Sequence, residues 1–334
     1  MTHTYSLNGY HVALDVFSGS VHLTDEAGLL TIRLYEAGDR EETVRRLLEA
    51  FPGDPAVTRN SAVELLDELD RLKAAGKLYT PDTYEQHAGT LRQRDGAVKA
   101  LCLHVAHGCN LACDYCFAGK GDYGTGAALM SEETGRAALD FLVARSGTRR
   151  HLEVDFFGGE PLLNWDVVKR LVAYGRELEK RHGKAFRFTL TTNGVLLDDE
   201  VTDFCNREMH NVVLSLDGRE AVHDRFRRDR AGRGSYARVV PNFQKFVRAR
   251  GERGYYVRGT YTRHNLDFSR DVLHMADLGF TQLSMEPAVT PPGDPNGLTE
   301  EHLPALFVEY ERLAAEMLKR RREGRGFDFY HFNV

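Results

Sequence analysis

The sequence predicts an α/β protein: a partial (β/α)6 barrel preceded by a small winged-helix-like α+β domain. Two patterns carry this. From Lys99 onward, six short apolar runs alternate with amphipathic helical stretches, the order expected of a parallel sheet with right-handed crossovers. Residues 1–80 differ, with one alternating stretch followed by three helical ones. A third observation locates the chemistry. Five of the six apolar runs end in polar or glycine-rich residues, and in such barrels the loops after every strand converge on one mouth.

With 334 residues, 42% of them hydrophobic, the chain can build a core in each of two domains. Lys plus Arg is 44 against 49 for Asp plus Glu, a net charge of -5, so nothing in the total favours nucleic acid or a membrane as partner. No apolar run approaches the roughly 20 residues of a membrane span, and the N-terminus lacks a signal pattern. The expected location is the cytoplasm. Five cysteines, three of them clustered, suit reducing surroundings and a metal site better than a disulfide framework. Cys102 and Cys205 read as ordinary buried thiols.

In chain order, YSLNGYHVALDVFSGSVHLTD alternates on either side of Ser18 and Gly19, which predicts a β-hairpin turning at FSGS. Helices are expected over 26–37, 39–51 and 60–76, the last with Val63, Leu65, Leu66, Leu69 and Leu72 at helical spacing before Gly76. A short strand from Lys77 to Thr80 completes the winged-helix outline of residues 1–80. Arg and Lys are scattered there without a basic recognition helix, which argues against a DNA reader. A plain packing domain is the alternative. Residues 81–98 are polar and aperiodic, a linker.

The barrel is expected over 99–290. Its strands are ALCLHV, HLEVDFF, FRFTLTT, NVVLSL, YYVRGTYT and TQLSME, with helices near 131–146, 164–182, 198–208, 235–250 and 267–278. Asn164 should cap the second helix and Gly183 close it. The cysteine loop follows the first strand, GGEP the second, TTNG the third, SLDG the fourth and Glu286-Pro287 the sixth. The Arg-rich stretch 223–235 reads as a solvated loop. Residues 291–334 hold a Pro/Gly break, a helix over 299–322 and the apolar run FDFYHFNV.

Cys109, Cys113 and Cys116 stand in the spacing C-x3-C-x2-C. Three thiolates on one loop can hold three irons of a 4Fe-4S cube and leave the fourth open. A structural zinc site, by contrast, usually wants four ligands in two separated pairs. With Tyr115 and Phe117 beside the last cysteine, the stretch resembles the signature of the radical S-adenosylmethionine (SAM) enzymes. The resemblance implies a TIM-like radical SAM barrel in which SAM chelates the open iron and is split to a 5'-deoxyadenosyl radical. It further implies that Gly158, Gly159 and Glu160 meet the methionine ammonium of SAM, that Asn193 lies near the cofactor, and that Ser215 and Arg227, the latter in H-D-x-x-R, reach its ribose or carboxylate. Thr262 and Leu266 would frame its adenine or ribose. Asp217 and Glu286 are the candidate catalytic carboxylates. A plain turn at Asn193, a cap at Ser215, a structural Asp217 and a Glu286 paired with Arg258 are the alternatives.

LNGYHVALDVFSGSVH and KALCLHVAHGCNLACDYCFAG together resemble the maturases of SCIFF peptides, and residues 1–80 the PqqD-like peptide-recognition element of such enzymes. That likeness implies thioether crosslinks in a ribosomal precursor peptide with a leader, and a small reductant protein such as ferredoxin or flavodoxin. It also implies that 291–334 lead towards a SPASM domain with auxiliary 4Fe-4S clusters. No cysteine follows Cys205, and the sequence stops inside an apolar run, so a truncated chain is expected. Other peptide-directed reactions, formylglycine-type oxidation or a carbon-carbon crosslink, share the core motifs. A non-enzymatic Fe-S sensor with a winged-helix DNA reader is the different class.

Overall fold

The structure, a computed structural model, describes residues 1–36, 39–92 and 96–333 and divides into two units, Met1–Asp95 and Gly96–Val334. Residue 37 of the expected first helix and residues 93–95 of the expected linker lie outside the described residues.

The first unit opens with three strands, β1 (Thr2–Leu7), β2 (Tyr10–Asp15) and β3 (Ser20–Thr24), in an antiparallel meander of that order. The single hairpin expected around FSGS is therefore only its second half. The other turn is Asn8-Gly9, with φ of +51° and +77°, positive at both residues as a two-residue hairpin turn requires. Helices α1 (Glu26–Tyr35), α2 (Arg40–Ala50) and α3 (Arg59–Ala74) follow, the last opened by a capping box of Thr58 and Ser61. Ala13, Ile32, Leu69 and Leu78 form one apolar cluster and Val44, Leu47, Ala62 and Leu66 another. The strand expected at Lys77 to Thr80 does not form. Tyr79 has φ +52°, outside extended backbone, and the segment is tied by single bonds instead: His22 Nε2 to the Lys77 carbonyl at 2.8 Å and Thr80 N–H to Asp15 at 3.0 Å. A short helix, α4 (Ala88–Arg92), interrupts the expected linker.

In the second unit the order is β4 (Ala100–His107), β5 (Ala128–Leu129), α5 (Glu132–Arg145), β6 (His151–Gly158), α6 (Trp165–His182), β7 (Ala185–Thr192), α7 (Asp199–Glu208), β8 (Met209–Ser215), α8 (Glu220–Phe226), α9 (Tyr236–Arg250), β9 (Tyr256–Tyr261), α10 (Phe268–Asp277), β10 (Gln282–Pro287), α11 (Leu303–Arg322) and β11 (Asp328–Phe329). Among the described residues these strands make one eight-stranded sheet in the order β11-β10-β9-β8-β7-β6-β4-β5. The six predicted strands run parallel in sequence order, a partial barrel. Two edge strands were not foreseen. β5 pairs antiparallel with β4, and β11, from the FDFYHFNV run, pairs parallel with β10.

Strand alternation builds the two faces. Leu103, Val154, Phe188, Leu214 and Val257 are fully or nearly buried in the core against the helices. Their neighbours Cys102, Asp155, Thr189, Ser215 and Arg258 occupy the opposite face, which retains access to solvent. Cys102 is thus exposed, contrary to expectation, while Cys205 is buried. Two further readings change. Asn164 precedes α6 without capping it, because its amide donates to the Val105 and Met130 carbonyls at 2.8 and 2.9 Å. The stretch from His223 is not all loop: α8 buries His223 and Phe226, in a helix too short to show a period. Gly183, at φ +64°, does close α6. No helix among the described residues is long and apolar enough to cross a membrane.

Arg250 locks the entry to β8. It is fully buried and donates to the carbonyls of Gly254 (2.7 Å), Cys205 (3.0 Å) and Met209 (3.0 Å). Burial lowers its pKa from the usual guanidinium value, a cost these acceptors offset. Arg250→Leu should lower the unfolding free energy by about 3 kcal/mol, since the buried carbonyls of Cys205 and Met209 lose their donor. Urea denaturation measures this; an unchanged midpoint would refute it.

Candidate active site

The site begins where β4 and β6 end side by side. Gly159 N–H donates to the Ala106 carbonyl at 2.8 Å and Glu160 N–H to the Gly108 carbonyl at 3.0 Å, which docks the start of the cysteine loop on the glycine pair. A Cβ on Gly159 would lie 2.1 Å from the Gly108 oxygen and 2.9 Å from that of Gly121. At Gly158, φ is +131° and a Cβ would lie 2.4 Å from the Ala106 oxygen. Only glycine permits both approaches. The loop's far side is held by the end of α8 and the segment after it: Ala112 N–H donates to Arg228 O at 2.8 Å, Asp114 N–H to Phe226 O at 3.2 Å, and Arg230 Nε to Cys109 O at 2.9 Å.

Held this way, Cys109, Cys113 and Cys116 line a cleft of about 590 Å³ at the C-terminal ends of the strands. Gly158, Gly159, Asn193, Ser215 and Arg227 line the same cleft, as do Tyr115 and Phe117, so these predicted residues are brought together. Asn193 supports the loop. Its Nδ2 donates to Asn110 Oδ1 at 2.7 Å and lies 3.5 Å from Cys109 Sγ, while Oδ1 accepts from Val195 N–H. The left-handed residue of that turn is Gly194, at φ +77°. Glu286 lines the cleft and is ion-paired with Arg258, which combines two readings that had been alternatives.

Four predicted residues sit elsewhere. Glu160 is fully buried and does not face the cleft. Its carboxylate accepts from Thr192 Oγ1 (2.7 Å), Asn193 N–H (2.8 Å) and Leu162 N–H (3.1 Å), so it fastens the end of β7 to the GGEP turn. Burial nevertheless raises its pKa to about 7. Asp217 is also fully buried and does not line the cleft. It accepts from the Tyr115 hydroxyl (2.6 Å) and Thr260 N–H (3.0 Å). Arg227 Nε lies 3.0 Å from Asp217 Oδ1 as an ion pair lacking hydrogen-bond alignment, with the guanidinium 5.6 Å over the Tyr115 ring. Burial opposes the Arg227 charge, but the Asp217 carboxylate outweighs it and holds the pKa above the usual value. Thr262 is buried against Asn265 Oδ1, and Leu266 packs on the apolar core; neither lines the cleft, because β9 ends at Tyr261 and the chain turns inward. Conversely, Phe157, Thr191 and Thr260 line the cleft and were not singled out. Their signal was the alternation itself, since they share a strand face with Asp155, Thr189 and Arg258.

The donor set suits a soft metal group. Burial pushes the Cys109 thiol up to about 11 and the Cys113 thiol to about 12, each opposed by neighbours: Leu111 N–H for Cys109, the Arg227 charge for Cys113. Thiolates there require a cation. Among the described residues, no three His, Cys, Asp or Glu side chains converge on a position for one metal ion. Three thiolates on a cube bind three different irons and so need a wider triangle. Three polar atoms around the loop, Asn110 Nδ2, Tyr123 Oη and Arg227 Nε, are buried without a hydrogen-bond partner, as expected where a polar group would complete the site.

Comparison with known proteins adds a family match and a shared fold. Residues 103–267 match the model of the Radical SAM superfamily. A cysteine-type anaerobic sulfatase-maturating enzyme of Clostridium perfringens is 30% identical over 149 residues, 42% of this chain and 38% of that one. The solved structure of anSMEcpe with bound AdoMet and Kp18Cys peptide aligns with a TM-score of 0.61 at 19% identity, covering 70% of this chain and 64% of that one. SuiB of Streptococcus suis, bound to S-adenosylmethionine, aligns with a TM-score of 0.52 at 14% identity over 98% of this chain and 70% of its own. At such identities the two structures establish the shared fold. The chain spans about half or less of the length of the curated relatives it matches.

Two predictions follow from the geometry. Gly159→Ala should separate the cysteine loop from β6, and anaerobically reconstituted protein should then bind less than half the iron of the wild type; equal iron content would refute the packing argument. His223 is buried neutral, its Nδ1 accepting from Asp217 N–H and its Nε2 facing Ser235 Oγ at 2.9 Å. Burial lowers its pKa to about 4, opposed by the Asp217 charge, so between pH 6.5 and 4 the unfolded chain binds a proton that the folded one does not. Stability from this group is present above pH 6.5 and falls as pH drops towards 4, by about 1.4 kcal/mol per unit. His223→Gln should flatten that part of the urea-stability profile; an identical slope in both proteins would count against it.

Proposed function

We propose that this radical SAM enzyme abstracts a hydrogen atom from a residue of a peptide substrate, and that residues 1–80 hold a leader segment of that peptide. The observation that carries the proposal is the convergence on one cleft of three thiols, a glycine pair and a positioned arginine. In this reading, Cys109, Cys113 and Cys116 hold a 4Fe-4S cluster. The backbone of Gly158 and Gly159, with Asn193, Ser215 and Arg227, contacts SAM. When bound, the cluster supplies the electron that splits SAM to a 5'-deoxyadenosyl radical.

The chain's own residues orient the reactants and exclude water. Tyr115, anchored on Asp217, walls the site behind Cys113, and Arg227 is fixed there as a cation for an anionic part of SAM. Arg258 and Glu286, on the neighbouring strand ends, present opposite charges to the peptide backbone or a polar side chain. For the leader, β3 is an edge strand with Val21 and Leu23 exposed by 60% and 68%, suited to strand addition in the PqqD-like manner. A small reductant such as ferredoxin or flavodoxin would deliver the electron.

Likeness to sulfatase-maturating enzymes favours a formylglycine-type oxidation of Cys or Ser over thioether formation. The SCIFF-like passages support thioether formation as the second reading. Full-length protein reconstituted with iron and sulfide, then given dithionite, SAM and a candidate peptide, should yield 5'-deoxyadenosine and a modified peptide. An aldehyde trapped by a hydrazide marks oxidation, whereas loss of about two mass units with a thiol blocked from alkylation marks a thioether. Cys113→Ala should abolish SAM cleavage while leaving leader binding intact. Retained cleavage would overturn the ligand assignment.

A further inference from the structure

We infer that the arginine-lined depression on the far side of the cysteine loop docks a small acidic one-electron carrier protein, which reduces the cluster from there. The inference rests on the reading proposed above and deepens it by naming where the reductant binds.

The depression, of about 370 Å³, is lined by Arg230, Arg233 and Arg238 together with Asn110 and Leu111 of the cysteine loop. All three arginines are exposed. Among the described residues its lining holds a single carboxylate, Asp229, which pairs with Arg233 at 2.8 Å and leaves Arg230 and Arg238 without a carboxylate partner. This is a local surplus of positive charge on a chain whose net charge is -5. The Arg-rich stretch is therefore more than a solvated loop.

The patch is fixed to the thiols by the backbone. Asp229 N–H donates to the Arg233 carbonyl at 2.9 Å, and Asp229 Oδ1 accepts from the N–H groups of Ala231 and Arg233, both at 2.9 Å, so the turn carrying two of the arginines holds its own shape. Leu111 forms an antiparallel bridge with Asp229, its N–H lies 3.4 Å from Cys109 Sγ, and Arg230 Nε donates to the Cys109 carbonyl at 2.9 Å. Leu111 lines both the depression and the thiol cleft, which makes the two neighbours across one buried residue.

In the proposed reading SAM and the peptide occupy the cleft, so an electron donor must approach the cluster from outside it. The depression offers that approach beside Cys109. Electron-transfer encounters are among the smallest protein interfaces, below about 1,200 Å², and a patch of this extent suits one. Exposed arginines steer an acidic surface into place and let it go again, because water and salt screen each contact. A small free anion would gain little from side chains this exposed. In the step itself one electron leaves the reduced carrier and enters the oxidised cluster; no bond breaks and no proton moves.

The test compares wild type with Arg233→Gln/Arg238→Gln and Arg233→Glu/Arg238→Glu, which both spare Arg230 because it holds the loop. Calorimetry measures binding of an acidic flavodoxin before and after anaerobic cluster reconstitution. Iron content is then read, and cluster reduction is followed by stopped flow with either flavodoxin hydroquinone or photoreduced deazariboflavin, a small uncharged donor. Wild type should bind flavodoxin with or without the cluster, and less tightly as salt rises. In the Glu protein, affinity and flavodoxin-driven reduction should each fall about tenfold, with a smaller fall in the Gln protein. Iron content and deazariboflavin-driven reduction should stay unchanged. No flavodoxin binding by wild type, equal affinity in all three proteins, or reduction slowed equally with both donors would overturn the docking surface and leave the cluster site standing. Tighter binding of duplex DNA than of flavodoxin to wild type would overturn it too. Failure of wild type to bind a cluster would instead overturn the site reading, and this inference with it.

Discussion

The whole site depends on one close approach, that of the Gly158-Gly159 backbone to the start of the cysteine loop. A carbonyl oxygen stands 2.1 Å from where a Gly159 Cβ would be, and two N–H groups of the turn bond back across the gap. This packing turns a strand end into a platform. It presses Gly108 and Gly121 together, so the loop between them, residues 109–120, enters and leaves beside the same two glycines. The three thiols can then line one cleft without any regular secondary structure of their own.

On the opposite wall the constraint is electrostatic. Asp217 and Arg227 are charged and nearly inaccessible, an arrangement whose desolvation rivals its attraction. It persists because each partner of the pair has a second use. Asp217 fixes the Tyr115 hydroxyl and the Thr260 amide, while neutral His223 accepts the Asp217 N–H and connects through Ser235 to the Arg227 carbonyl. The result is a rigid cation beside the thiols, bound through side chains from two loops and a short helix. Glu160 makes the matching brace on the other flank, using three hydrogen bonds to hold the end of β7. Both carboxylates hold distant parts of the backbone and side chains together.

The sheet adds a polar inner surface. Parallel strands buried on both faces would read as continuous apolar runs, but these alternate, because only one face packs against helices. The other presents Asp155, Thr191, Ser215, Arg258 and Glu286, a polar face on the inside of the partial barrel.

Local features of the chain were enough for much of this. The C-x3-C-x2-C spacing, the glycine pair, the Asn-Gly turn that went unread, and the strand-helix alternation are all encoded within a few residues, since they depend on backbone freedom, side-chain period and ligand type. Tertiary structure alone decided which side chains face the cleft: that Glu160 and Asp217 turn inward to distant N–H and O–H donors, that Thr262 folds onto Asn265, that residues 77–80 do not pair as a strand, and that Phe329 joins β10. In each case the partner lies outside the local pattern, and a carboxylate's direction is set by whichever donors the completed fold brings within reach. The sequence names the chemical groups, whereas packing determines which of them remain free to act.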